Sequence, residues 1–294
     1  MKLNEFRKRI IKIVAFLVVF SLLIVFIKNL EDFTLFGTSK AVAISVEESL
    51  NKIEEDNSVE NEINKRIKEE EIRQEKLRLE KQRAEEKKKR ESNRKIAYLT
   101  FDDGPSKKST PMILDVLKKH GIKATFFVVG TQVKENPSIL KRTYEEGHKI
   151  GNHSYSHNYS YIYGSVGNFM EDFYKAEELI KSVVGEEFDS KVMRFPGGSF
   201  EAKKDPMKQA INNKGYTYVD WNALNGDAEG ASFSEPHLIN RLAETVGNKK
   251  KVVILMHDTD GKITTAKSLD QSIRLLIDKG YSFEVLDKNF SWEQ

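Results

Sequence analysis

From residue 96 to the C-terminus the sequence switches period repeatedly, and that alternation limits the fold more than any other feature. Residues 96–100, 124–129, 192–195, 216–220, 252–257 and 281–286 are short runs dominated by apolar side chains. Between them lie amphipathic stretches over residues 110–120, 137–146, 166–184, 204–214, 236–246 and 265–279. Continuous apolar runs fit strands covered on both faces, as in a parallel sheet, and the intervening stretches fit its crossover helices. Thr110-Pro111 reads as the capping pair of the first helix, with proline at the first helical position. The fold expected is α/β, one compact unit of about 195 residues, because the first 95 contain no pattern able to build a core.

Polar constellations follow the apolar runs. Thr100-Phe101-Asp102-Asp103-Gly104-Pro105 ends the first, His153-Ser154-Tyr155-Ser156-His157 comes some fifty residues later, and Arg194-Phe195-Pro196-Gly197-Gly198 and Leu255-Met256-His257-Asp258 close two more. Alone, Asp-Asp-Gly-Pro is a turn and a spaced histidine pair is a coincidence. Four such sets at successive strand ends are hard to explain as independent turns. Two histidines at i, i+4 can aim at one point from a helical turn, and a distant carboxylate completes a His2Asp set. Three protein ligands leave positions open, the arrangement of a hydrolytic rather than a structural Zn2+ site. Side chains alternate in extended backbone, so the adjacent carboxylate is free to act as a base.

The ordered motifs TFDDGP, GNHSYSH, RFPGGS, YVDWNALNGDA and VVILMHD resemble those of the polysaccharide deacetylases, the NodB-homology domain of carbohydrate esterase family 4. The resemblance covers about residues 96–288 and implies a distorted (β/α)7 barrel with its site at the C-terminal ends of the strands. It implies Asp103, His153 and His157 as ligands of one divalent ion, Zn2+ first, with Co2+ or another first-row metal also accepted. Asp102 would be the general base, Arg194 would orient it, and His257 would protonate the leaving amine. The Gly197 N–H would support the oxyanion, and Trp221 and Leu255 would wall the acetyl pocket. The chain departs from the family pattern at Gly197, where a bulky residue is common. Asp227 is favoured by spacing as the partner of His257, with Asp220, in a literal Asp-Trp pair, as the alternative.

The N-terminal third carries an address. Residues 1–9 are basic, and Lys2, Arg7, Lys8, Arg9 and Lys12 precede an apolar run that reaches Ile27. Residues 10–27 are expected to be one transmembrane signal anchor with the N-terminus cytoplasmic and the catalytic domain extracytoplasmic. Residues 28–95 form a linker. Its part from 61 to 95 is rich in Glu, Lys and Arg, and pairs such as Glu62/Arg66 and Glu69/Arg73 suit a solvated helix. A disordered linker is the alternative, residues 28–60 are expected to be irregular, and a coiled coil is not favoured. Net charge is +3 with no basic stripe in the folded part, which speaks against nucleic acid, and the absence of cysteine removes disulfides and thiolate sites. The resemblance and the tether together imply a membrane-anchored N-deacetylase of a cell-envelope polysaccharide, peptidoglycan N-acetylglucosamine first. The alternatives are an exopolysaccharide or chitin-like oligomer as substrate, or a catalytically silent, tethered glycan-binding protein.

Overall fold

The computed structural model describes residues 38–292. The run at 10–27 lies outside them, and among the described residues no helix is long and apolar enough to cross a membrane. The chain divides into two units between Ala84 and Glu85. The first is dominated by helix α1 (Thr38–Asn93). Residues 38–60, expected to be irregular, are helical, since neither glycine nor proline interrupts the sequence from 38 to 93. Arg66 pairs with Glu62 at 3.2 Å, whereas Arg73 pairs with Glu70 at 3.8 Å rather than with Glu69. Ile63, Ile67, Ile72, Leu77 and Leu79 are all exposed.

The second unit is built on strand β1 (Lys95–Asp102), which pairs in parallel with β7 (Lys251–His257) from Ile96↔Lys251 to Asp102↔His257. The opposite edge of β1 is shared. β8 (Tyr281–Phe283) pairs with residues Lys95 to Ala97, and β2 (Thr125–Val128) with Thr100 to Asp102. From β2 the sheet continues through β3 (Lys149–Asn152), β4 (Val192–Met193) and β5 (Thr217–Tyr218), and beyond β7 it ends at β6 (Ala223–Leu224). Every pairing is parallel. No ladder among the described residues joins β5 to β6. The chain itself crosses that seam, because Val219 N donates to Met193 O on β4 and Asn222 N, three residues on, donates to Val253 O on β7. The result is a curled, all-parallel α/β sheet open at one seam.

Strands expected over 192–195 and 216–220 are only two residues long each. Carbonyls that would extend them are used by side chains instead: Arg194 O accepts from His153, and Val219 O and Asp220 O accept from Arg194. The outer helices are α2 (Ser109–His120), α3 (Gly130–Glu135), α4 (Pro137–Glu145), α5 (Tyr159–Ile162), α6 (Val166–Val184), α7 (Asp205–Asn213), α8 (Glu235–Val246) and α9 (Ile263–Asp278). α3 and α5 were not expected from periodicity, being too short to show one. Thr110 lies inside α2 instead of capping it, and its hydroxyl accepts from Ser106 N and donates to the Asp258 carboxyl.

The pleat of β1 sorts its side chains between two apolar layers. Ala97, Leu99 and Phe101 pack outward with Leu117, Ile254 and Ile273, while Tyr98 joins Phe127, Val192, Val219 and Val253 on the other face. Thr100 and Asp102 continue the Tyr98 face, so the inner surface of the curled sheet turns polar at the C-terminal end of β1.

Candidate metal and acid–base site

Asp102 is the last residue of β1 and is 3% exposed. The pleat alone would send Asp103 to the opposite face. Instead Asp103 takes a left-handed backbone, φ 74°, which turns its carboxylate back toward the same pocket. His153 Nε2 consequently lies 3.8 Å from Asp102 Oδ2 and 3.4 Å from Asp103 Oδ1, and His157 Nε2 lies 3.1 Å from Asp103 Oδ1. The two carboxylates are thus distinguished by a backbone turn rather than by strand alternation.

The histidines are not held by a helical turn. His153 follows β3, and residues 153–158 form a loop in which Ser154 and His157 have φ of 77° and 54°. Asp172 on α6 makes this shape possible. Its buried carboxylate accepts from Ser154 Oγ and from the N–H groups of Tyr155 and Ser156. Sequence reasoning missed Asp172, although a signal was present: it sits among Phe169, Phe173 and Ala176 on the buried face of α6, where an acid needs partners.

His153 Nδ1 lies 2.8 Å from Arg194 O. A carbonyl only accepts, so Nδ1 is the donor in this contact and Nε2 is the ring nitrogen that faces Asp103. Oδ1 of Asp103 is buried with the two imidazole nitrogens as near neighbours, and although burial disfavours the carboxylate, His153 and His157 hold its pKa well below the usual carboxylate range. Asp103, His153 and His157 offer three donor atoms within 4.8 Å of one another. One carboxylate and two imidazoles converging at this distance fit a divalent cation.

Arg194 is fully buried on the inner face of the sheet. Its Nη1 donates to Asp102 Oδ1 at 2.8 Å and to Thr100 Oγ1 at 2.7 Å, Nε donates to Val219 O, and the guanidinium lies 4.3 Å from the Phe127 ring. Removing one member of a buried charge pair of this kind costs about 3–5 kcal/mol.

His257 ends β7, directly beside Asp102 in the ladder. Asp227, not Asp220, meets it: His257 Nδ1 is 2.8 Å from Asp227 Oδ1, and Oδ2 accepts from His257 N and Thr265 Oγ1. Burial disfavours the imidazolium, but the Asp227 hydrogen bond and charge, with Asp102 and Asp103 behind it, push His257 up to about 9. Asp220 instead accepts from Ser199 N and Oγ, bracing the turn after Arg194.

That turn carries Gly197 and Gly198 at φ 72° and 78°, conformations that cost a side-chain-bearing residue. Lys204, 1% exposed, holds it from beneath by donating to Pro196 O and Gly198 O, and burial lowers the ammonium's pKa. Trp221 stands 5.7 Å from the Arg194 guanidinium and edge-on to the exposed ring of Phe200, and Leu255 is nearly buried on β7. A polar groove of about 590 Å³ runs past Asp103 and His157 toward Lys107, Gln132 and Glu135. His120, the last residue of α2, contacts Asp270 at 2.8 Å.

Residues 89–219 match the profile of the family described as polysaccharide deacetylase. The chain is 35% identical over 200 residues to a peptidoglycan-N-acetylglucosamine deacetylase of Bacillus cereus, covering 65% of this chain and 69% of that protein. It is 30% identical over 203 residues to a peptidoglycan-N-acetylmuramic acid deacetylase of Bacillus subtilis, covering 67% and 72%. The solved structure of a Streptococcus mutans CE4 esterase superposes with a TM-score of 0.63 at 35% identity, covering 66% of this chain and 87% of that one. With sequence, architecture and site in agreement over the same residues, the chain belongs to the polysaccharide deacetylase family.

Proposed function

We propose that this protein hydrolyses N-acetyl groups of a cell-wall polysaccharide, with the N-acetylglucosamine of peptidoglycan as substrate, and that it uses one divalent ion, Zn2+ first. The observation that carries this reading is the convergence of Asp103, His153 and His157 on one point, with Asp102 and His257 on adjacent strand ends. The relatives named for peptidoglycan deacetylation support the substrate class. Asp103, His153 and His157 would hold the ion, which when bound would supply Lewis-acid chemistry to the acetyl carbonyl and to water. Asp102, oriented by Arg194, takes the proton from the attacking water. The Gly197 N–H supports the carbonyl oxygen as charge develops, and Trp221 and Leu255 flank the methyl group. His257, charged at neutral pH, gives its proton to the amine nitrogen as the C–N bond breaks.

The run at 10–27 is proposed to anchor the protein in the cell membrane with the enzyme outside, and α1, about 84 Å long at 1.5 Å per residue, to serve as a spacer. Release of free amine from purified peptidoglycan, with and without chelator, tests the activity. Turnover confined to soluble chitin-like oligomers would reassign the polymer, and full turnover in excess chelator would remove the metal from the mechanism.

A further inference from the structure

We propose that Tyr159 is a glycan-binding residue, its ring filling the space left by the missing side chain of Gly197 and packing on a pyranose face of the substrate beside the reacting group. The proposal rests on the deacetylase reading above. A Cβ at Gly197 would lie 2.8 Å from Tyr159 Cε1 and 3.3 Å from its hydroxyl, so the ring lies directly on the bare backbone of the turn. It is also edge-on to His157 at 5.3 Å and 6.0 Å from the Tyr163 ring. Pinned by these contacts, Tyr159 still remains 48% exposed.

The neighbouring tyrosines are otherwise committed. Tyr155 covers Gly130 and carries Lys175 over its ring at 4.0 Å, Tyr161 donates to Glu171, and Tyr163 donates to Pro196 O. His157 lines the polar groove, whereas Tyr159 does not, so the histidine stands between a polar surface and an aromatic one. A sugar presents both matching surfaces, a rim of hydroxyls and a face of C–H bonds suited to the negative face of an aromatic ring. Because Tyr159 opens α5 two residues after His157, the loop that carries His153 and His157 leads directly into this wall.

The test uses the full, metal-loaded chain and its Tyr159→Phe and Tyr159→Ala variants. Metal content, turnover of an N-acetylated hexosamine oligomer and calorimetric binding of the deacetylated oligomer are measured for each. Tyr159→Ala is expected to raise KM and weaken product binding about tenfold, equivalent to about 1.4 kcal/mol, with kcat changed less than about twofold, while Tyr159→Phe retains wild-type KM. Unchanged KM and oligomer binding in Tyr159→Ala would overturn the assignment and leave the deacetylase reading standing. Loss of metal with the ring would also overturn it, showing that Tyr159 supports His157. A wild-type chain that binds the oligomer through Tyr159 but releases no acetate would instead defeat the deacetylase reading alone.

Discussion

Asp102 and His257 are register partners on the last rung of the β1–β7 ladder, each the final residue of its strand. Neighbouring strands lie about 4.8 Å apart, so a carboxylate and an imidazole are fixed side by side without any loop to position them. Asp102 is anchored from within the sheet by Arg194, and His257 from the seam side by Asp227. A carboxylate and an imidazole therefore flank the Asp103, His153 and His157 cluster on rigid backbone.

Replacing Asp102 by Asn is expected to lower kcat by about 10²- to 10⁴-fold while metal binding persists, since Asp103, His153 and His157 remain. His153→Ala should lose both activity and metal. Metal analysis of the two purified variants checks the division, and release of the ion by Asp102→Asn with retention in Asp103→Asn would reverse the carboxylate roles.

Asp227→Asn should move the alkaline limb of the pH–rate profile downward. His257 must hold its proton to donate it, so activity falls as pH rises through its pKa. Removing the Asp227 charge lowers that pKa from about 9 toward the ordinary value, and the fall begins at lower pH. An unshifted limb would show that another group controls it.

Asp172→Asn should weaken metal affinity by about 10- to 100-fold, because one of the loop donors would face an amide N–H instead of an oxygen. Competition with a chromogenic chelator measures the change. Wild-type affinity would mean that the loop keeps its shape without the carboxylate.

Asp258 is fully buried, accepts from Thr110 Oγ1 at 2.6 Å, and is pushed up to about 7 by burial and the charges of Asp103 and Asp102. The folded state therefore holds this proton more tightly than the unfolded chain. Its stabilising effect is complete below the ordinary carboxyl pKa of about 4 and is lost as pH rises through about 7. Asp258→Asn should gain stability relative to wild type as pH goes from 5 to about 8, read by urea unfolding at each pH. A constant difference would show that Asp258 does not titrate in this range.

What the sequence by itself determined is the part that depends on local periodicity and on chemistry at strand ends. Val166–Val184 has the apolar spacing of one helix face, and the runs that became β1, β2 and β7 are apolar at successive positions, so these elements are legible without tertiary contacts. The candidate donors Asp103, His153 and His157 were legible as the polar residues of the ordered motifs TFDDGP and GNHSYSH. Tertiary structure decided how they meet. Both Asp102 and Asp103 face the pocket only because Asp103 adopts a left-handed backbone, and the histidine loop exists only because Asp172 arrives from α6 to accept its N–H groups. β4 and β5 are short because Arg194 and His153 claim carbonyls that a ladder would otherwise use. Asp227 rather than Asp220 reaches His257 because residues 219–222 cross the seam of the sheet, leaving Asp220 against Ser199 and carrying Asp227 past β6 to the end of β7. Each of these depends on atoms far apart in the chain arriving at hydrogen-bonding distance, which no local pattern encodes.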